Sequence, residues 1–202
     1  MADFTAEILQ QLQAWSVLEG LGVAAAIAYL VLAIRQNILC WVFAGISTAI
    51  YVYLFFTARL YMESVLNVFY LAMAIYGWVT WRKGRGENTE MAVTRWPWRR
   101  HVVALLLIAA LGVVNGFLLT AYTDAKFPYI DSLTTWSAFW ATFLVARKVL
   151  ENWWYWLVID VVSVFIYWQR DLELTALLFV VYVIMIPFGF ISWRRSMNSS
   201  YQ

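Results

Sequence analysis

The chain has 202 residues, 64% of them hydrophobic and 13% charged, against about 45–50% and about 25% for a soluble domain, and its mean hydropathy is +0.70. A net charge of +2 gives no electrostatic case for nucleic acid, and one cysteine (Cys40) with one histidine (His101) excludes an internal disulfide and a Cys- or His-rich metal centre. What remains is an all-α polytopic membrane protein.

Residues 1–19 are acidic and lack the basic start of a cleaved signal peptide, so they read as an extracytoplasmic segment before an anchor. Seven apolar windows follow, near 20–34, 38–56, 62–80, 102–121, 132–146, 153–169 and 174–192. Backbone groups in hydrocarbon must be satisfied internally, so each window predicts a transmembrane helix. The loop 82–101 is the only substantial connection, and its Gly, Pro and mixed charge read as a cytoplasmic linker. Its arginines read first as ordinary cytoplasmic charge, with contact to anionic lipid as the alternative. Residues 194–202 form a cytoplasmic tail.

Charge sets the orientation. Arg35, Arg82, Lys83, Arg85, Arg95, Arg99, Arg100, Arg147, Lys148, Arg194 and Arg195 fall on one side, and only Arg59, Lys126 and Arg170 on the other. Cytoplasmic loops are the basic ones, so the N-terminus is expected outside and the C-terminus inside.

A shift of 112 residues aligns two halves without a gap. Arg35 falls on Arg147, Trp41 on Trp153, Tyr70 on Tyr182, Met73 on Met185, and Gly77, Trp81 and Arg82 on Gly189, Trp193 and Arg194. Residues 20–81 and 132–193 thus read as two three-helix units, with 102–121 as a single linker helix. An odd linker restores direction, which makes this a 3+1+3 parallel repeat of the kind transporters use.

One helix carries an acid at its midpoint, within "WWYWLVIDVVSVFIYW" (153–168). Helical spacing puts Trp153, Trp156, Ser163 and Tyr167 on the face of Asp160, and leaves Leu157, Val158, Val161, Val162 and Phe165 elsewhere. In the second helix Thr48 and Tyr51 share a similar stripe, and in the third Glu63, Asn67 and Tyr70 do. An ionised Asp at mid-membrane costs about 2.5–3.5 kcal/mol, and no Lys or Arg lies within any span to balance it. A wet cavity, hydroxyl donors or a visiting cation remain. Aromatic faces also attract organic cations, so the constellation suggests a small, flat, cationic ligand held between the two triplets. The plainer alternative is a protonated Asp bridging helices, with Asn67 as helix–helix glue. Most other aromatic residues read as interfacial, among them Trp15, Trp81, Trp96, Trp98 and Trp193.

The stretches "RLYMESVLNVFYLAMAIYGWVTWRK" (59–83) and "ARKVLENWWYWLVIDVVSVFIY" (146–167) resemble the PnuC family of vitamin transporters. "IYGW" and "ARKxxENWxxW" are the most specific pieces. The resemblance implies a seven-helix 3+1+3 fold like that of the SWEET sugar transporters, a homotrimer in the bacterial inner membrane, and facilitated diffusion of a vitamin that a cytoplasmic kinase then traps. Nicotinamide riboside carriers of the family typically have Gln at the position of Asn67 and Asn at that of Asp160. Both depart here, and Asp with Asn suits an aminopyrimidine and a thiazolium charge. The chain therefore looks more like the thiamine-transporting branch, often called PnuT, with nicotinamide riboside as the alternative and a proton-coupled carrier as a further one.

Other classes fare worse. A rhodopsin needs a Schiff-base lysine in its last helix, and 174–192 has none. An intramembrane enzyme finds no paired carboxylates and no Ser–His or Ser–Lys pair at depth, so no catalytic residue, cofactor or metal is expected.

Overall fold

The computed structural model describes residues 17–57, 61–83, 91–124, 126–169 and 173–199. Seven helices account for nearly all of them: α1 (Val17–Ile34), α2 (Cys40–Thr57), α3 (Tyr61–Lys83), α4 (Trp98–Tyr122), α5 (Pro128–Ala146), α6 (Asn152–Trp168) and α7 (Glu173–Ser199). Each apolar window of the sequence falls on one of them. Among the described residues there is no strand, only a two-residue bridge between Thr94 and Val149. By length and composition α1, α2, α4 and Thr175–Ser199 of α7 are apolar enough to cross a membrane. The other three are shorter or more polar: α6 has 17 residues, about 26 Å, and α3 and α5 carry the Asn, Ser and Thr residues that dilute their hydropathy.

The chain divides into two compact units, Met1–Ala92 with Gly189–Gln202, and Val93–Phe188. In the first unit α2 packs against α1 and against α3. Ser47 Oγ donates to the Gly22 carbonyl at 2.9 Å and Ser64 Oγ to the Val52 carbonyl at 3.0 Å, so hydroxyls tie both helix pairs. Gly77 lets α3 approach closely: a Cβ there would lie 2.3 Å from the Trp41 ring. Trp41 in turn meets Trp81 edge-on at 5.5 Å, and Trp81 meets Trp193 at 6.2 Å. Trp81 and Trp193 are 2% and 0% exposed. That corrects their reading as interfacial residues: the Trp193 indole N–H donates to the Ala33 carbonyl at 2.9 Å, inside the unit. Trp98, by contrast, is 69% exposed.

In the second unit α5 packs against α4 and α6. The buried face of α4 is Ala104, Ile108, Gly112 and Gly116, one residue per turn. Gly112 and Gly116 form a small-xxx-small pair, and Cβ atoms there would meet Leu133 at 2.5 Å and Tyr129 at 2.4 Å. Asn115 Nδ2 donates to Ser132 Oγ at 3.1 Å, and that hydroxyl donates to the Pro128 carbonyl at 2.7 Å. The end of the 82–101 connection is docked: the Thr94 N–H donates to the Lys148 carbonyl and the Leu150 N–H to the Thr94 carbonyl, both at 2.9 Å.

The turns after α1 and α5 have the same geometry. Among the described residues, Gln36 (φ 56°) and Lys148 (φ 48°) are the non-glycine residues at positive φ, and they are 112 positions apart. In one turn the Gln36 and Asn37 N–H groups donate to the Ala33 and Leu32 carbonyls; in the other, Lys148 and Val149 donate to Val145 and Leu144. Each is a Schellman motif with its left-handed residue in the place glycine usually takes.

Replacing Gly77 by Val should force Trp41 off its seat and cost about 1–3 kcal/mol. Gly20→Ala, where a Cβ meets nothing within 4 Å, should leave stability near that of the parent. Thermal unfolding of the detergent-solubilised protein, followed by tryptophan fluorescence, reads both.

Candidate substrate site

On α6 the polar stripe is the buried face. Trp153, Asp160 and Ser163 are buried, at 3%, 4% and 7% exposure, while Trp154, Val158, Val161 and Phe165 on the remaining arc are exposed. Trp156 and Tyr167 are half-buried on the stripe's flank. The Tyr167 ring stacks on Phe179 of α7 at 5.2 Å and 14°, which fixes one aromatic wall two turns from the acid. Among the described residues no hydrogen bond or ion pair reaches the Asp160 carboxylate, and α6 carries no basic residue. A carboxyl in that position is either protonated or set against a ligand's charge.

In the first unit the candidates share two adjacent helix faces. Tyr51 of α2 is half-buried and stacks on Phe55 at 5.6 Å and 27°. Thr48 lies one turn before it, but its hydroxyl donates to the Ala44 carbonyl at 2.8 Å and the Gly45 carbonyl at 3.2 Å. That bond occupies its proton within the helix, so toward a ligand it offers only an acceptor. Asn67 and Tyr70 of α3 are half-buried, and Tyr70 meets Phe69 edge-on at 5.8 Å. Glu63 lies within α3, and its side chain is outside the described residues.

A polar cluster that the sequence reading did not single out lies where α6 begins. Glu151 accepts from Arg95 Nε at 2.8 Å and from the Trp96 N–H at 3.3 Å, and its other face is 4.0 Å from His101 Nε2. His101 Nδ1 is 3.1 Å from the Tyr155 hydroxyl. Asn152, fully buried, donates from Nδ2 to the Val149 carbonyl at 2.7 Å. The "EN" of "ARKVLENWW" is thus a corner brace: one residue anchors the incoming loop and the other the turn. Opposite charges in "TRWPWRRH" and "LENW" were the available signal. Among the described residues, no three His, Cys, Asp or Glu side chains gather as a metal site would need.

Residues 16–195 match the family described as nicotinamide mononucleotide transporter. The nicotinamide riboside transporter PnuC of Escherichia coli is 25% identical over 208 residues, covering 90% of this chain and 86% of that protein. The riboflavin/roseoflavin transporter RibM of Streptomyces davaonensis is 26% identical over 127 residues, covering 61% of this chain and 59% of that one. Among solved structures, that of the vitamin B3 transporter PnuC superposes with a TM-score of 0.74 at 21% identity, over 95% of this chain and 86% of that one; at that identity the match speaks for the fold. With a family model spanning nearly its whole length and relatives named as carriers, the chain belongs to the nicotinamide mononucleotide transporter (PnuC) family of multi-pass membrane vitamin transporters.

Proposed function

We propose that this chain takes up a small, flat, positively charged B vitamin across the bacterial inner membrane by facilitated diffusion, with nicotinamide riboside as the first reading. The observation that carries it is the buried Asp160 carboxylate, without a protein partner among the described residues, on a helix face shared with Trp156 and Tyr167. A cation there is neutralised by the acid and covered by aromatic faces, whose attraction is about 0.5–2 kcal/mol each. Nicotinamide riboside stands first because a relative named for it aligns over most of both chains. RibM, named for riboflavin, supports a scaffold that changes its vitamin by changing side chains.

Thiamine is the second reading, and Asp160 with Asn67 favours it. An acid and an amide offer an aminopyrimidine an acceptor and a mixed donor–acceptor edge, and the carboxylate balances a thiazolium. In either case Trp153, Ser163, Tyr51, Thr48, Tyr70 and Glu63 complete the proposed lining. The seven helices as seven spans, with the N-terminus outside, belong to the same proposal. So does the 3+1+3 repeat, with units 20–81 and 132–193 about a linker helix at 102–121; the matching turns at Gln36 and Lys148 support it. A homotrimer and trapping by a cytoplasmic kinase follow the family.

Titrating purified protein with both vitamins tests the reading, and binding of neither overturns it. Asp160→Asn should weaken binding of whichever cation the site takes by about 1.5–3 kcal/mol, roughly 10- to 100-fold in Kd. It should cost thiamine more than nicotinamide riboside, whose carboxamide an amide can still pair; unchanged affinity would remove Asp160 from the site. Adding Asn67→Gln should move the affinity ratio further toward nicotinamide riboside, and an unmoved ratio would place selectivity elsewhere. Trp156→Ala should weaken binding about tenfold, in line with one desolvated cation–π contact, whereas Trp154→Ala on the exposed arc should not. In proteoliposomes, uptake should stop at equal concentrations with or without a pH gradient; accumulation driven by the gradient would make the protein a proton-coupled carrier.

A further inference from the structure

The second unit contains a cavity of about 620 Å³ between α4 and α5 that the substrate reading does not use. One wall is aliphatic, running along α4 from Val103 to Leu111; the other is Trp136, Phe139, Trp140 and Phe143 of α5. Arg99 and Arg100 close one end, on the first turn of α4. We infer that this groove binds one membrane phospholipid with an anionic headgroup, its acyl chain along α4 and its phosphate at Arg99 and Arg100.

Charge argues for the headgroup. Glu151, the carboxylate at this corner, is already engaged by Arg95 and by the Trp96 N–H. Arg99 and Arg100 are exposed and have no carboxylate partner among the described residues. Arg100 is held in place, its guanidinium 4.9 Å from the centre of the Trp96 ring. Trp96 is itself wedged against Trp140 at 5.9 Å and Phe143 at 6.1 Å. Two cations, one of them held over the Trp96 ring, at the start of a 25-residue helix whose N-cap, Pro97, supplies no side-chain cap make a site that favours a phosphate. Basic pockets between helices on the cytoplasmic side bind such headgroups.

Length and polarity argue for the rest. From Arg99 to Leu111 the groove follows α4 for about 18 Å, close to the roughly 15 Å of one hydrocarbon leaflet. The Trp136 indole N–H is buried, with no hydrogen-bond partner among the described residues. It sits one turn from Trp140 along α5, a donor on the wall of a largely apolar groove.

The test is native mass spectrometry on the full-length protein in mild detergent, after delipidation and addition of phosphatidylglycerol or phosphatidylcholine with identical acyl chains. Wild type should retain phosphatidylglycerol with about thirtyfold preference, as expected for roughly 1 kcal/mol from each of two basic residues. Arg99→Gln/Arg100→Gln should drop that preference to none, with phosphatidylcholine retention unchanged. Leu107→Trp, which fills the groove, should reduce both. Thermal midpoints in the same lipids confirm that the variants are folded, and inorganic phosphate should not reproduce the stabilisation. Equal retention of both lipids by wild type, or unchanged retention in both variants, overturns the inference. So does dissociation of an oligomer by Leu107→Trp with lipid binding intact, which would assign the groove to a second copy.

Discussion

A helix that ends near hydrocarbon must find donors for its last four carbonyls within the chain, because water is scarce and each unmet group costs several kcal/mol. The end of α1 meets this in full. Val31, Leu32 and Ala33 accept from the N–H groups of Arg35, Asn37 and Gln36; Ala33 accepts again from the Trp193 indole, and Ile34 accepts from the Ser192 hydroxyl. The end of α5 satisfies three carbonyls by the same turn, and the Thr94 segment then pairs with the residues beyond it. The left-handed turn aims α2 and α6 back along the helices before them, and so determines where Trp41, Thr48, Trp153 and Asp160 can lie.

Much of this was legible in the sequence. Apolar length located all seven helices, six of them within about four residues at each end, because hydropathy is a property of a whole segment and tolerates local exceptions; α7 runs seven residues past its window, to Ser199. The stripe on α6 was also legible: a period of 3.6 residues separates Asp160 and Ser163 from Val158, Val161 and Phe165, and burial follows that division. Helix ends were harder. Trp81 and Trp193 stand where interfacial tryptophans usually stand, yet they fill a core, since composition cannot say whether a span end meets lipid or another helix.

The turns were illegible for a different reason. Glycine is the usual signal for a left-handed residue after a helix, and Gln36 and Lys148 give no such signal. The Glu151 cluster was hidden because its partners, Arg95, Trp96 and His101, lie fifty or more positions away. The residues that make the candidate site are likewise the ones that lower the hydropathy of α3 and α6. A carrier must place polarity where membrane insertion disfavours it, so function shows itself as a fault in an otherwise apolar pattern.

The docking of Thr94 has a mechanical meaning. One residue, bonded on both sides to the corner between α5 and α6, joins the entrance of α4 to that corner like a pin through a bracket. Arg95 and Glu151 add a strut beside it. The approach to α4 and the start of α6 are therefore tied at one corner of the second unit, so the helix that carries Asp160 begins from a braced joint rather than from a free loop.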